Sequence, residues 1–272
     1  MSDDTHQQNH PEFFGALAAD SHGSPDQAPD HRPPLVLLHG LGYDRRQWDP
    51  TLRALAVTDP GRRVLSFDLP GHGDSPRRAS YRSDEIAAVV HEAVTDAGLD
   101  APVVVGHSLG GVLATVYAAK YPARGAVNVD QPLLPGTFAE VLRRAEPVLR
   151  SPAYGEVWDS MIASMHVELL PPAAQELARS ATPAQDLLLG YWNELMDTPP
   201  KDLDEGVTRG LGAIRAAGIP YHYVSGEPPA PAYRHWLESV LPDVSVTVLA
   251  GSGHFPHLSR PAELAAILAA FR

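Results

Sequence analysis

Val103-Val104-Val105-Gly106-His107-Ser108-Leu109-Gly110-Gly111 is the stretch on which the reading of this chain turns. A β-branched run feeds Gly-His-Ser-Leu-Gly, and an Ala-rich helical stretch, Val112 to Lys120, follows at once. This is the strand, sharp turn and helix that a G-x-S-x-G nucleophile elbow requires. Gly106 and Gly110 lack Cβ atoms, so strand and helix can approach closely while Ser108 takes the strained backbone that pushes its hydroxyl out of the turn. The five-residue pattern arises by chance in glycine-rich chains, but here the residues on both sides agree with it. Ser108 is the candidate nucleophile, at a helix start that favours developing negative charge.

Working outward, 272 residues with 44% hydrophobic content can bury a sizeable core. The formal charge of -12 argues against non-specific binding to nucleic acid and against an anionic membrane surface, and a small, largely neutral substrate fits better. The chain has no cysteine, which excludes a disulfide scaffold, a thiol nucleophile and cysteine-ligated metal. Met1 to Gln8 has no basic start and no apolar segment, and no run approaches the length of a membrane span. A cytoplasmic protein is expected, and the oligomeric state is left open.

Around the elbow the chain alternates strands and helices. Residues 1–12 are polar and are expected to be a disordered tail. Phe13 to Ala19 supply one or two early strands, followed by a Pro-, Asp- and His-rich loop through Pro34. Leu35-Val36-Leu37-Leu38-His39 is a continuous apolar run, as expected of a strand buried on both faces of a parallel sheet. Trp48, Leu52 and Leu55 have helical spacing, Val64 to Asp68 reads as a strand, and Ser83 opens a helix that ends at Gly98. A further strand ends at Asp130. From 131 to 200 prolines recur and no buried-strand run appears, which predicts an inserted helical cap whose members include Phe138, Trp158, Met161, Met165, Tyr191 and Trp192. A helix around Asp204 to Ala217 leads back to strands at Tyr221 to Val224 and Ser245 to Leu249, and a last helix spans Pro261 to Phe271. The expected division is therefore a core of 13–130 and 201–272, with the cap at 131–200.

Serine acyl transfer needs a base, an acid that orients it, and donors for the oxyanion. His254, in Gly251-Ser252-Gly253-His254-Phe255-Pro256-His257, lies in a glycine-rich loop after the last strand and is the candidate base, with His257 the rival. His39, His72 and His107 sit in turn-rich motifs where a structural hydrogen-bonding role is expected. The oxyanion donors would be the backbone N–H groups of Leu109 and of Leu41, the latter in the turn His39-Gly40-Leu41-Gly42. No metal or organic cofactor is required.

From about Leu35 to the end, the chain resembles the α/β-hydrolase superfamily. The matching motifs are His39-Gly40-Leu41-Gly42, Asp68-Leu69-Pro70-Gly71-His72-Gly73-Asp74-Ser75, Gly106-His107-Ser108-Leu109-Gly110-Gly111 and Gly253-His254-Phe255. The resemblance implies a mostly parallel central sheet with helices on both faces. Members usually carry the acid after the strand that here is Tyr221 to Val224, but this chain has Ser225-Gly226-Glu227-Pro228-Pro229, with Pro229 where Asp is expected. A minority, including one branch of the haloalkane dehalogenases, place it after the strand that follows the elbow helix. Asp130 is therefore taken as the acid, with Glu227 as the alternative. A serine at the elbow disfavours the alkyl-enzyme ester of dehalogenases and epoxide hydrolases, which attack with Asp. The leading expectation is a serine hydrolase acting on a carboxylic ester or lactone. Two alternatives stand beside it. One is a cofactor-free dioxygenase of the 3-hydroxy-4-quinolone type, in which His254 deprotonates the substrate; the other is a non-catalytic ligand-binding member.

Overall fold

The structure is a computed structural model in which residues 11–23 and 32–272 are described. In chain order its elements are β1 (Glu12–Phe14), β2 (Leu17–His22), β3 (Leu35–Leu38), α1 (Asp49–Thr58), β4 (Val64–Phe67), α2 (Ser83–Asp96), β5 (Val103–His107), α3 (Leu109–Lys120) and β6 (Gly125–Val129). Four helices follow, α4 (Gly136–Leu149), α5 (Tyr154–Ala163), α6 (Pro172–Arg179) and α7 (Gln185–Asp197), and then α8 (Pro200–Ala216). The chain closes with β7 (Tyr221–Ser225), α9 (Pro231–Val240), β8 (Ser245–Val248), α10 (Pro256–Ser259) and α11 (Pro261–Ala269).

Among the described residues one sheet forms, in the order β1-β2-β4-β3-β5-β6-β7-β8. β3 to β8 are parallel to one another, while β2 pairs antiparallel with both β1 and β4. The apolar runs explain why the sheet is covered on both sides. Leu35, Leu37, Val103 and Val105 pack with Trp48, Leu52 and Leu55 from the α1 region and Leu264 and Leu268 of α11. Their alternates Val36, Leu38 and Val104 pack with Ile86 and Val90 of α2 and Leu113 and Tyr117 of α3. Because successive strand side chains point to opposite faces, both must be apolar, and each such buried side chain contributes about 1.5–3 kcal/mol.

The segment between β6 and α8 carries helices and no strand. Prolines keep these helices short: α6 begins on Pro172, and Pro147 interrupts α4 from within. Leu142 and Leu149 of α4, Trp158 of α5, and Leu188 and Trp192 of α7 join the same apolar cluster as α2 and α3, so the insertion shares a core with the sheet.

Several boundaries differ from expectation: β2 runs on through His22 into the stretch expected as loop, because Asp20, Ser21 and His22 pair with β4, and α11 ends at Ala269 rather than Phe271. Glu12, expected in the tail, belongs to β1, where it pairs with Ala19; residues 1–10 of that tail, and residues 24–31 of the polar loop, lie outside the described residues. α8 starts at Pro200, before Asp204, because proline suits a helix's first turn. Among the described residues no helix is long and apolar enough to cross a membrane.

Candidate active site

Ser108 joins β5 to α3 with φ 52 and ψ -119, a conformation that L-residues avoid. Neighbouring backbone holds it there: its N–H donates to the Val129 carbonyl (3.1 Å) and its carbonyl accepts from Gly111 N–H (2.8 Å). A Cβ on Gly106 would collide with the Gly110 carbonyl, and one on Gly110 with the Leu38 carbonyl, so the elbow closes only with glycine at both places. The Ser108 hydroxyl does not cap α3.

Asp130 follows β6 directly, also at positive φ (57). Asp tolerates this region better than most residues. Buried Asn128 builds the corner: its Oδ1 accepts from Gln131 N–H (3.1 Å) while its Nδ2 donates to the Gln131 carbonyl (2.9 Å). The Asp130 carboxylate is then used twice. Oδ2 lies 2.8 Å from His254 Nδ1, and Oδ1 accepts the Gly226 N–H at 2.8 Å. His254 Nε2 is buried and, among the described residues, has no hydrogen-bond partner, so it is not paired with Ser108 in this conformation. The alternative acid, Glu227, is exposed and makes no hydrogen bond to His254 among the described residues.

The turn after β3 is organised by side chains from elsewhere. Gly40 N–H donates to Gln47 Oε1 (3.0 Å), Gly42 N–H to His72 Nε2 (3.0 Å) and Tyr43 N–H to the Gly40 carbonyl (3.2 Å). The Leu41 N–H has no acceptor among the described residues, and neither does the Leu109 N–H at the first position of α3. Asp68 ties this turn to its neighbour: buried Oδ1 accepts from Arg45 N–H (2.7 Å), Oδ2 accepts from Asp74 N–H (2.8 Å), and the Arg45 guanidinium pairs with both acids.

Burial pushes the His72 imidazole down to about 3, and it is lowered for His39 and well below the ordinary range for His107 and His257. These rings stay neutral, and three of them have structural work. His39 takes the Leu69 N–H on Nε2 (2.9 Å), His72 takes that of Gly42, and His107 places Nε2 2.8 Å from the His254 carbonyl. His257, the rival base, is fully buried between Trp48 and His107, with ring centroids 5.0 and 4.2 Å away. A cleft of about 700 Å³ opens beside this region, lined by Gly42, Tyr43, His72 and, from the insertion, Leu177, Pro183 and Leu187. Neither Ser108 nor His254 lines it.

The glycines and histidines of the site were visible as motifs; Asn128, Gln47 and the Gly226 N–H were not. Asn128 stood inside an apolar strand, and a polar residue in such a run was the one available signal.

The sequence matches the Alpha/beta hydrolase family over residues 35–267. A 2-succinyl-6-hydroxy-2,4-cyclohexadiene-1-carboxylate synthase of Enterobacter sp. (strain 638) is 28% identical over 254 residues, covering 87% of this chain and 90% of that one. In structure the chain is similar to the enol-lactonase of Burkholderia xenovorans LB400 (TM-score 0.72, 18% identity, 96% of this chain and 99% of that one). It is also similar to AqDC, described for recognition and ring-cleavage of the Pseudomonas quinolone signal (TM-score 0.73, 21% identity, 96% and 97% covered). At these identities the two structures speak for the fold.

Proposed function

Because the chain belongs to the alpha/beta hydrolase family, we propose that it is a serine hydrolase opening a carboxylic ester or lactone of a small, largely uncharged molecule through an acyl-enzyme on Ser108. One observation carries the reading: a carboxylate-bound imidazole, Asp130–His254, accompanies a strained serine whose hydroxyl does not cap its helix.

In this reading a turn of the Ser108 side chain brings Oγ within about 2.6–3.2 Å of His254 Nε2. Oγ attacks the carbonyl carbon, its proton passes to Nε2, and the oxyanion takes the Leu41 and Leu109 N–H groups, each such donor worth roughly 100- to 1,000-fold in rate. Collapse breaks the C–O bond, and His254 returns the proton to the departing alkoxide, which stays tethered in a lactone. Water then attacks the acyl-enzyme with His254 as base, releasing the acid and restoring Ser108. Asp130 holds the tautomer with hydrogen on Nδ1 and stabilises the imidazolium.

The insertion acts as a cap. Trp158, Tyr191 and Trp192, with Met161 packed against them, share one apolar cluster with Leu41 and Leu109, which supports an apolar substrate. Pro183 and Trp158 stand against Gly42, so the adjacent cleft is read as the approach rather than the reaction chamber.

A second reading is favoured by the unpaired His254 Nε2: the ring takes a proton from a substrate hydroxyl, and Ser108 only hydrogen-bonds it, as in cofactor-free oxygen chemistry on a 3-hydroxy-4-quinolone. Turnover of an aryl-ester and lactone panel, with an oxygen electrode beside it, separates the two. Hydrolysis is expected, falling roughly 10^4- to 10^6-fold in Ser108→Ala. Oxygen uptake with a hydroxyquinolone and no ester turnover would overturn the hydrolase reading.

A further inference from the structure

His254 is held through its backbone as well as its ring. Its N–H donates to the Met165 carbonyl of the insertion (3.2 Å), and its carbonyl lies 2.8 Å from His107 Nε2. We infer that His107 is a positioning residue for the His254 base, fixing the base loop to the nucleophile strand from one side while the Met165 carbonyl fixes it to the insertion from the other. The inference rests on the reading of Ser108 as nucleophile and His254 as base.

A carbonyl oxygen only accepts, so the His107 tautomer is settled: hydrogen sits on Nε2. Nδ1 is buried and has no partner among the described residues, so His107 has no second bond through which to pass a proton. What remains is a fixed donor on a fully buried ring that contacts His254, Phe255 and His257 at centroid distances of 4.8, 5.3 and 4.2 Å. Burial and the neighbouring His257 and His254 keep that ring neutral. Its place in the chain supplies the purpose. His107 ends β5 and Ser108 comes next, so one strand end locates both the attacking oxygen and the loop carrying its base.

The opposite side is shaped for the same grip. Gly253 has φ 51, and a Cβ there would sit 2.6 Å from the Met165 carbonyl, so only glycine admits that oxygen to the loop. On the insertion, His166 itself takes a left-handed backbone (φ 55) immediately after Met165. The insertion therefore touches the base through its backbone as well as covering the site.

The test uses two amides that differ in reach. In His107→Gln the side-chain nitrogen can occupy the Nε2 position; in His107→Asn it falls one bond short. For each full-length variant the rate of Ser108 modification by a fluorophosphonate, kcat and KM on an aryl ester, and the thermal midpoint are measured, with His254→Ala as reference. Gln is expected to keep about a third or more of the wild-type kcat and labelling rate, while Asn loses about 10- to 100-fold in both with KM within about two-fold, by analogy with groups that orient a metal-bound imidazole. If Asn does not fold, His107→Leu replaces it. Equal rates in the Gln variant and its partner, whether both high or both low, would overturn the inference, and so would a loss in the partner matched by a fall in its thermal midpoint, since the shorter side chain also leaves a cavity whose packing defect would lower both. Wild-type protein that is not labelled at Ser108, or His254→Ala labelled as fast as wild type, would instead overturn the underlying nucleophile and base.

Discussion

β6 and β7 are parallel neighbours, and the chain leaves them in two different ways. After β6 it turns sharply at Asp130, whose carboxylate is engaged at both oxygens. After β7 it runs out through Gly226 to Glu227, which is exposed. The first exit carries the charge, and the second supplies only a backbone N–H to hold it. The comparison teaches that a carboxylate reaches the last loop's histidine from the loop that can aim it there, and that a neighbouring loop can be recruited as its support. Gly226 fits that support role closely, because a Cβ there would collide with the Gly253 carbonyl.

The sharpest way to break this contrast is to exchange the charges. Asp130→Asn retains a residue suited to positive φ, so it removes the carboxylate with little change to the corner, and turnover is expected to fall roughly 10^4-fold through loss of the correct His254 tautomer. Glu227→Gln is expected to leave kcat within about two-fold. Steady-state kinetics on one ester checks both, and the reverse pattern would move the acid to β7. A smaller effect sharpens the same point. Asn128→Ala removes both bonds to the Gln131 backbone, and about 1–3 kcal/mol of stability is expected to go with them, together with a fall in kcat as Asp130 loses its fixed corner; urea unfolding and kinetics measure the two.

The smallest effect per group is one of pH. His72 titrates near 6.5 when unfolded and at about 3 when folded, and His39, His107 and His257 shift in the same direction. Below pH 6.5 the unfolded chain therefore binds protons that the folded one refuses. Stability from these rings is complete above about pH 6.5 and is lost as pH falls toward the folded values, by up to about 1.4 kcal/mol per unit for each. Urea midpoints at pH 7.5 and 5.5 should show the fall, and His72→Gln should lessen the slope.

Much of this was legible in the chain because local chemistry demands it. The apolar runs 35–38 and 103–105 read as doubly buried strands, and Gly106 and Gly110 mark an elbow whose closure forbids any side chain. In the β7 loop Pro229 stands where the resemblance leads one to expect Asp. What pattern reading could not reach were the contacts between distant segments: Gln47 on Gly40, Gly226 on Asp130, Met165 on His254. These are hydrogen bonds to backbone groups, and a backbone N–H or carbonyl looks the same at every position. Glu12 was misplaced for a similar reason, since an antiparallel partner, Ala19, and not local apolarity, makes it a strand residue.

Reaction of the purified protein with a fluorophosphonate, followed by intact mass and peptide mapping in wild type and Ser108→Ala, tests the central claim most directly. One label per chain, mapped to Ser108 and absent from the variant, is the predicted result. Folded wild-type protein that takes up no label, or a Ser108→Ala variant labelled as fully as wild type, would contradict it.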